Sequence, residues 1–289
     1  MKLDFDITII GNGSASPHKT RYPAAQYLST EGHHWLVDCG EGTQFRLMRM
    51  GLKRSKLEGI VITHMHGDHT AGNAAMAALG ATVIGQENIY PRLEALTPEN
   101  LPTLTYSDSI TLHLNGEEVW IFWPQSAHTD HDTMIYLKNA NILHVGDVPS
   151  NLRYPNIGID DGGSVEGMTR AARLVLDMTN AETRIMAGHL GPLVPREEML
   201  AQLEMFAEVS QRIQAMIDRG MSLEEVLAAR PTADFDEARA AGAITPERPA
   251  WASGRKFSES TPLSCLKFST SSQGVRDDHA DQHGVGSVR

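Results

Sequence analysis

Six consecutive positions, His64-Met65-His66-Gly67-Asp68-His69, carry three imidazoles and one carboxylate. They follow Gly59-Ile60-Val61-Ile62-Thr63, an apolar run that reads as a buried strand. A strand end followed by a tight turn projects several side chains into one space. Imidazole nitrogens and carboxylate oxygens are the donors that zinc takes when thiolates are absent. Gly67 is expected to let the turn close without a Cβ clash. His128, Asp147 and His189 stand beyond strand-like runs at 117–123, 141–145 and 184–187. Loops carried on a rigid scaffold are where ligands are usually placed. Taken singly, each of these three reads as an ordinary polar loop residue, and the cluster itself could be a solvated histidine-rich loop. Together, His64, His66, Asp68, His69, His128, Asp147 and His189 make seven candidate ligands, which suits two metal ions better than one.

Two zinc ions about 3.5–4 Å apart can share a hydroxide, and zinc lowers the pKa of bound water from about 15.7 to about 7. Such a site carries a nucleophile at neutral pH and a second ion to polarise the substrate oxygen. Asp68 is the candidate catalytic residue, placed to take or return a proton. Asp38, in Val37-Asp38-Cys39-Gly40, and Thr63 are candidates to orient a metal-binding imidazole from behind. For Asp38 the competing reading is a turn residue that caps its own backbone.

Positioning these residues takes a particular series of elements. Strands are expected at 5–10, 24–29, 34–38, 59–63, 82–85, 110–114, 117–123, 133–138, 141–145 and 184–187. Glu31-Gly32 and Asn115-Gly116 read as hairpin turns. Helices are expected at 42–50, at 71–79, after Ser164 as N-cap, and from 196 to 219. A last helix opens on a Ser222/Glu225 capping box and stops at Pro231. The plan is two similar halves of strands, a helix and a loop bearing His or Asp. The reading assigns 1–235 to one domain and 236–289, rich in Ser, Gly and charge, to a largely disordered tail.

Composition excludes other classes. The chain has 289 residues, with 25 basic and 36 acidic, so the net charge is 25 − 36 = −11. That balance counts against general nucleic-acid binding, which runs on basic surface. Two cysteines, Cys39 and Cys265, rule out a disulfide framework or a cysteine-built metal site. No apolar run is long enough to span a bilayer, and Asp4 and Asp6 interrupt the start where a signal peptide needs an apolar core. The expectation is a cytoplasmic protein with a small-molecule substrate, no membrane partner, and room for a homodimer. Gly11-Asn12-Gly13-Ser14 lacks the spacing of a nucleophile elbow and is too short for a dinucleotide fingerprint.

The His-x-His-x-Asp-His run at 64–69, followed in order by His128, Asp147 and His189, resembles the metallo-β-lactamase superfamily over roughly residues 1–230. The resemblance implies an α/β fold, an αββα sandwich with two zinc ions in a cleft at one edge. It implies that His64, His66 and His128 hold the first ion. Asp68, His69 and His189 would hold the second, with Asp147 between the two.

Two branches of the superfamily meet in this chain. Residues 7–69 resemble ribonuclease Z, through Gly11-Asn12-Gly13-Ser14-Ala15-Ser16-Pro17, WLVDCGEGTQFRL at 35–47 and SKLEGIVITHMHGDH at 55–69. Residues 64–230 resemble small-molecule hydrolases allied to class B β-lactamases and glyoxalase II. Their marks are HGDHTAGNAA at 66–75, HTDHDT at 128–133, ILHVGD at 142–147, DDGGSVEGM at 160–168 and AGHLGPL at 187–193. Ribonuclease Z grips tRNA with a basic arm inserted after the metal motif, whereas 70–127 here is not basic. The reading therefore favours hydrolysis of a small acyl substrate: a β-lactam, lactone or thioester. The alternatives are a phosphodiesterase acting on tRNA 3′ ends and a folded but inactive hybrid. His131 stands where the small-molecule branch usually has Gly, as an orienting donor, a substrate contact, a competing ligand or a solvent-facing histidine; a left-handed turn there would be strained. Asp130, Asp132, Asp160 and Asp161 are expected close to the cleft, where they would repel a polyanion. Lys19, Arg21, Arg46, Arg49, Lys53, Arg54 and Lys56 form the notable basic cluster.

Overall fold

The computed structural model describes residues 5–14, 22–52, 54–149, 153–189, 191 and 193–239. Among these residues, eleven strands form two sheets. The first is ordered β1 (Phe5–Gly11), β2 (Ala25–Thr30), β3 (His33–Val37), β4 (Gly59–Val61), β5 (Thr82–Gln86) and β6 (Leu104–Tyr106). The second runs, from its far edge, β11 (Arg184–Met186), β10 (Ile142–His144), β9 (Met134–Leu137), β8 (Glu117–Phe122) and β7 (Ser109–Leu114). Strands β3 to β6 pair in parallel, as do β10 and β11, so their C-terminal ends within each group lie on one side.

Period-2 alternation decides which side of each sheet is covered by what. In β8, Val119 and Ile121 face the other sheet, while Trp120 and Phe122 face helices. Trp35, Val37, Val61 and Ile84 of the first sheet meet Val119, Ile121, Ile135 and Leu137 of the second in the central layer. On the outer face of the first sheet, Leu36, Ile60 and Val83 pack with Leu47 of α1 (Thr43–Arg49), Met76 of α3 (Asn73–Ala77) and Leu93 of α4 (Ile89–Leu96). On the outer face of the second, Leu143 and Ile185 pack with α5 (Val165–Met178) and α6 (Arg196–Asp218). Each fully buried Leu or Ile stabilises the fold by about 1.5–3 kcal/mol. The layers are helix, sheet, sheet, helix: the αββα sandwich that the family resemblance implied.

Local chemistry explains the ends. Ser164 caps α5, its side chain accepting from the Gly167 amide, and α7 (Leu223–Ala228) opens on the full Ser222/Glu225 capping box. Among the elements that escape the sequence pattern are α4 and β6. Pro91 lies inside α4; the missing N–H costs nothing because the first helical turn has unpaired N–H groups in any case. The body continues through α8 (Asp236–Arg239), whose Arg239 is buried against Glu198. The rest of the expected tail lies outside the described residues. No described helix is long and apolar enough to cross a membrane.

Candidate metal centre

The seven candidate ligands arrive from strand ends. His64 follows β4, and Asp147 and His189 stand three residues past β10 and β11. His128 lies between β8 and β9. The first cluster is not a loop throughout, as the sequence implied. Residues 67–70 form a helical turn, α2 (Gly67–Thr70), so Asp68 sits where the free N–H groups of a first turn favour a carboxylate. Gly67 also proves unnecessary for closure, since a Cβ there meets nothing within 4 Å. The steric requirement falls on Gly188 instead. A Cβ there would lie 2.5 Å from Asp147 Oδ1 and 2.7 Å from His69 Cε1.

The inward-facing nitrogens converge. His64 Nε2 and His128 Nε2 lie 2.9 and 3.2 Å from His66 Nδ1. His69 Nε2 and His189 Nε2 are 3.1 Å apart, and His189 Nε2 is 3.1 Å from Asp68 Oδ2. Asp147 Oδ2 lies between, 3.2 Å from His189, 3.6 Å from His69 and 3.9 Å from His64. The donors fall into three overlapping groups: His64, His66, His128; His64, His69, Asp147; and Asp68, His69, His189, each within 4.8 Å. Four donors about 2.0–2.1 Å from a zinc ion lie roughly 3.3–3.4 Å apart along a tetrahedral edge. The closest separations here are near that spacing. Buried Asp147 Oδ1 and His189 Nδ1 have no hydrogen-bond partner among the described residues. Unpaired buried polar atoms are costly, and a cation beside them removes the cost. The donor set fits a metal.

Four of the five imidazoles are held from behind. Asp38 Oδ2 lies 2.7 Å from His69 Nδ1, and Asp38 also accepts from the Thr63 amide at 2.7 Å and the Thr63 hydroxyl at 2.8 Å. Asp38 has φ 59, a left-handed backbone that Asp tolerates better than most residues. Thr63 Oγ1 is 3.1 Å from His64 Nδ1. The Asn156 carbonyl faces His128 Nδ1 at 2.8 Å, and Asp161 Oδ2 faces His66 Nε2 at 3.2 Å. A partner on the outer nitrogen fixes the tautomer and leaves the inner lone pair free.

His131 is not a solvent-facing residue, nor is it among the clustered donors. It is fully buried, with Nδ1 2.7 Å from Asp130 Oδ1, and its Nε2 accepts from the Met65 amide at 3.2 Å. It is absent from the left-handed residues, so no glycine-like strain arises there. Asp132, expected at the cleft, is turned inward: it accepts from the Thr129 amide and hydroxyl, and burial pushes its carboxyl up to about 7. Asp130 and Asp161 are both paired with Arg92 of α4. Sequence reasoning missed Arg92 and Asn156, since nothing local links positions 92, 130, 156 and 161. Of the basic cluster, Arg46 stacks on the Tyr22 ring and Arg49 donates to the Tyr22 hydroxyl. Lys19, Arg21 and Lys53 lie outside the described residues.

Electrostatics divide the site in two. Burial, reinforced by the imidazoles around it, keeps His64 well below the usual histidine range, and burial takes His128 down to about 4. Their lone pairs are therefore bare at neutral pH. Burial also opposes charge on His69, but Asp38 and Asp147 outweigh it and hold this imidazole well above its ordinary value. At His189 burial is again overcome, by Asp147 and Asp68, and the value rises to about 9. Burial alone would raise Asp147, yet His189 and His69 keep it well below the carboxylate range. The carboxylates thus hold positive charge at the point where a cation would supply it.

Comparison with known proteins agrees with this chemistry. The family described as Anti-Pycsar protein Apyc1 matches residues 5–88. A 70-residue stretch is 49% identical to zinc phosphodiesterase ELAC protein 1 of Mus musculus, covering 24% of this chain and 19% of that protein. A longer match, 28% identical over 179 residues, joins 59% of this chain to 52% of a ribonuclease Z of Exiguobacterium sp.. The chain thus spans from about a fifth to about half the length of these relatives. Among solved structures, a metallo-beta-lactamase from Pontibacter korlensis superposes with TM-score 0.59 at 20% identity, over 70% of this chain and 99% of that one. A metallo-beta-lactamase family protein from Thermus thermophilus gives TM-score 0.59 at 20% identity, over 73% and 83%. The layers, the order of the donors and these likenesses agree on the fold, which is that of the metallo-beta-lactamases, while the N-terminal stretch is similar in sequence to zinc phosphodiesterases and ribonuclease Z.

Proposed function

We propose that the protein is a zinc-dependent hydrolase of small acyl substrates, with β-lactams, lactones and thioesters as the substrate class. The observation that supports hydrolysis is the convergence of five imidazoles and two carboxylates with one donor atom of each turned inward. His64, His66 and His128 would hold one zinc ion, and Asp68, His69 and His189 a second, with Asp147 serving both. Bound zinc supplies a Lewis acid for the carbonyl oxygen and lowers the pKa of water into the neutral range. The chain's own residues do the rest. Asp68 is the carboxylate that takes a proton at its oxygen and returns it to the leaving group. Asp38, Thr63 and the Asn156 carbonyl keep the imidazoles aimed as the substrate arrives.

The choice of an acyl substrate rests on Arg92. This arginine beside the cluster is matched by two carboxylates, Asp130 and Asp161, so it offers little net charge to a phosphate. Gripping a polyanion takes several unmatched cations and makes binding fall steeply with salt. Ile159 and Leu193, both exposed, sit on the loops that carry Asp161 and follow His189, and offer apolar surface to an acyl chain. A second reading, phosphodiesterase action on RNA, is favoured by the 49% identity to a zinc phosphodiesterase over 70 residues.

The test is metal analysis of zinc-supplemented protein, followed by a panel of nitrocefin, a lactone, S-lactoylglutathione, bis-p-nitrophenyl phosphate and pre-tRNA. The expected result is about two zinc ions per chain and turnover of at least one acyl substrate. Cleavage of pre-tRNA with no acyl turnover would overturn the substrate assignment. Protein without bound metal would overturn the whole reading.

A further inference from the structure

We propose that Arg92 is a positioning residue for the metal centre, acting from α4 on the turn 64–66 through two carboxylates. One branch runs to a side chain: Arg92 Nη1 lies 3.6 Å from Asp161 Oδ1, and Asp161 Oδ2 lies 3.2 Å from His66 Nε2. The other runs to the backbone. Arg92 Nε donates to Asp130 Oδ1 at 2.9 Å, with a second contact from Nη2 to Oδ2. Asp130 Oδ1 is 2.7 Å from His131 Nδ1, and the far nitrogen of that ring accepts the Met65 amide at 3.2 Å. Both branches therefore end on adjacent residues of the ligand turn. Asn88, also beside α4, donates to the Asp130 carbonyl at 3.1 Å and holds the same loop.

The physical consequence concerns His66. It is the ligand that presents Nδ1, not Nε2, to the cluster. For that nitrogen to keep its lone pair, the ring proton must stay on Nε2, and Asp161 is the acceptor that keeps it there. Asp161 is part-buried and shares this space with Asp130. Arg92 contacts both carboxylates and ties the two together. Arginine suits the position because its planar fork reaches two carboxylates at once, which a lysine point charge does not. Arg92 touches no ligand, yet its loss would free the His66 proton to move and relax the Met65 backbone.

This inference rests on the reading of the cluster as a metal centre, and the experiment separates the two. Zinc affinity of the full chain is measured by competition with a chromophoric chelator, alongside cobalt(II) d–d spectra and the melting temperature of chelator-treated protein. Arg92→Gln is expected to bind zinc roughly 10–100-fold more weakly, the usual effect of losing an outer partner. Asp161→Asn, nearly isosteric, is expected to alter the cobalt bands in the same direction. Arg92→Lys should not restore the parent spectrum. Arg230→Ala, which removes the exposed pair with Asp236, should leave both readouts at parent values. Unchanged affinity and spectrum in Arg92→Gln and Asp161→Asn would overturn the proposal while leaving the metal centre intact. A parent protein that binds neither metal would instead overturn the reading beneath it. Should Arg92→Gln fail to fold, Asp161→Asn decides the outcome by the same two readouts.

Discussion

Replacing Asp38 by Asn tests how the site controls its tautomers. The carboxylate receives three hydrogen bonds, from the Thr63 amide, the Thr63 hydroxyl and His69 Nδ1, at 2.7, 2.8 and 2.7 Å. Asparagine tolerates the left-handed backbone and can keep the two bonds from Thr63 through its carbonyl oxygen. Its amide then faces His69 and donates where the carboxylate accepted. The His69 proton moves to Nε2, the nitrogen that points at His189 and Asp147. That proton occupies the lone pair a metal needs. The expected loss is about 10–100-fold in zinc affinity, or about 1.4–2.7 kcal/mol. Hydrogen bonds to a charged group contribute about 1.5–3 kcal/mol and neutral ones about 0.5–1.5. Weakening two and inverting one therefore costs the metal-free fold about 2–4 kcal/mol, or roughly 5–15 °C in melting temperature. Chelator competition reads the first quantity and thermal unfolding of chelated protein the second. If Asp38→Asn binds zinc as tightly as the parent, the carboxylate does not set the His69 tautomer, and the argument for the other outer partners weakens with it.

Other consequences can be checked independently. Gly188→Ala should lower zinc affinity by at least tenfold and destabilise by about 1–3 kcal/mol, because its Cβ intrudes on Asp147 and His69; a parent-like titration would show that the loop yields without cost. Burial holds His131 and His144 at about 4, below the unfolded value, so the unfolded chain takes up their protons first as pH falls. The contribution of these two histidines to the stability of metal-free protein should thus be complete above about pH 6.5 and decline towards pH 4, by at most about 1.4 kcal/mol per unit for each. His144→Gln should flatten that slope, and an unchanged slope in urea titrations would remove His144 as a cause. Asp68→Ala and His189→Ala should each lower zinc content and turnover, and the double variant should be little worse than either alone. Additive effects on kcat would mean that the two residues serve separate steps.

Most of the framework was legible along the chain because it depends on local rules. Alternation in 117–122, the hairpin at Asn115-Gly116 and the caps at Ser164 and Ser222 each act over a few residues. The ligand types could be named for the same reason: a strand end bearing His, Asp and Gly is a local pattern. The sequence reading assigns no helix at α4, which shows itself in the packing of Ile89 and Leu93 on the first sheet. His131 shows the limit most sharply. Its sequence neighbourhood is polar and allowed four roles, but tertiary structure buries it between Asp130 and the Met65 amide. Spacing could nominate His66 as a ligand but could not say which of its nitrogens faces the cluster. That choice is made by Asp161, ninety-five positions away, and by Arg92 behind it. Sequence determined which donors the protein owns, since donor chemistry belongs to the residue. Tertiary structure decided where each lone pair points, since orientation is set by partners that only folding brings within hydrogen-bonding reach.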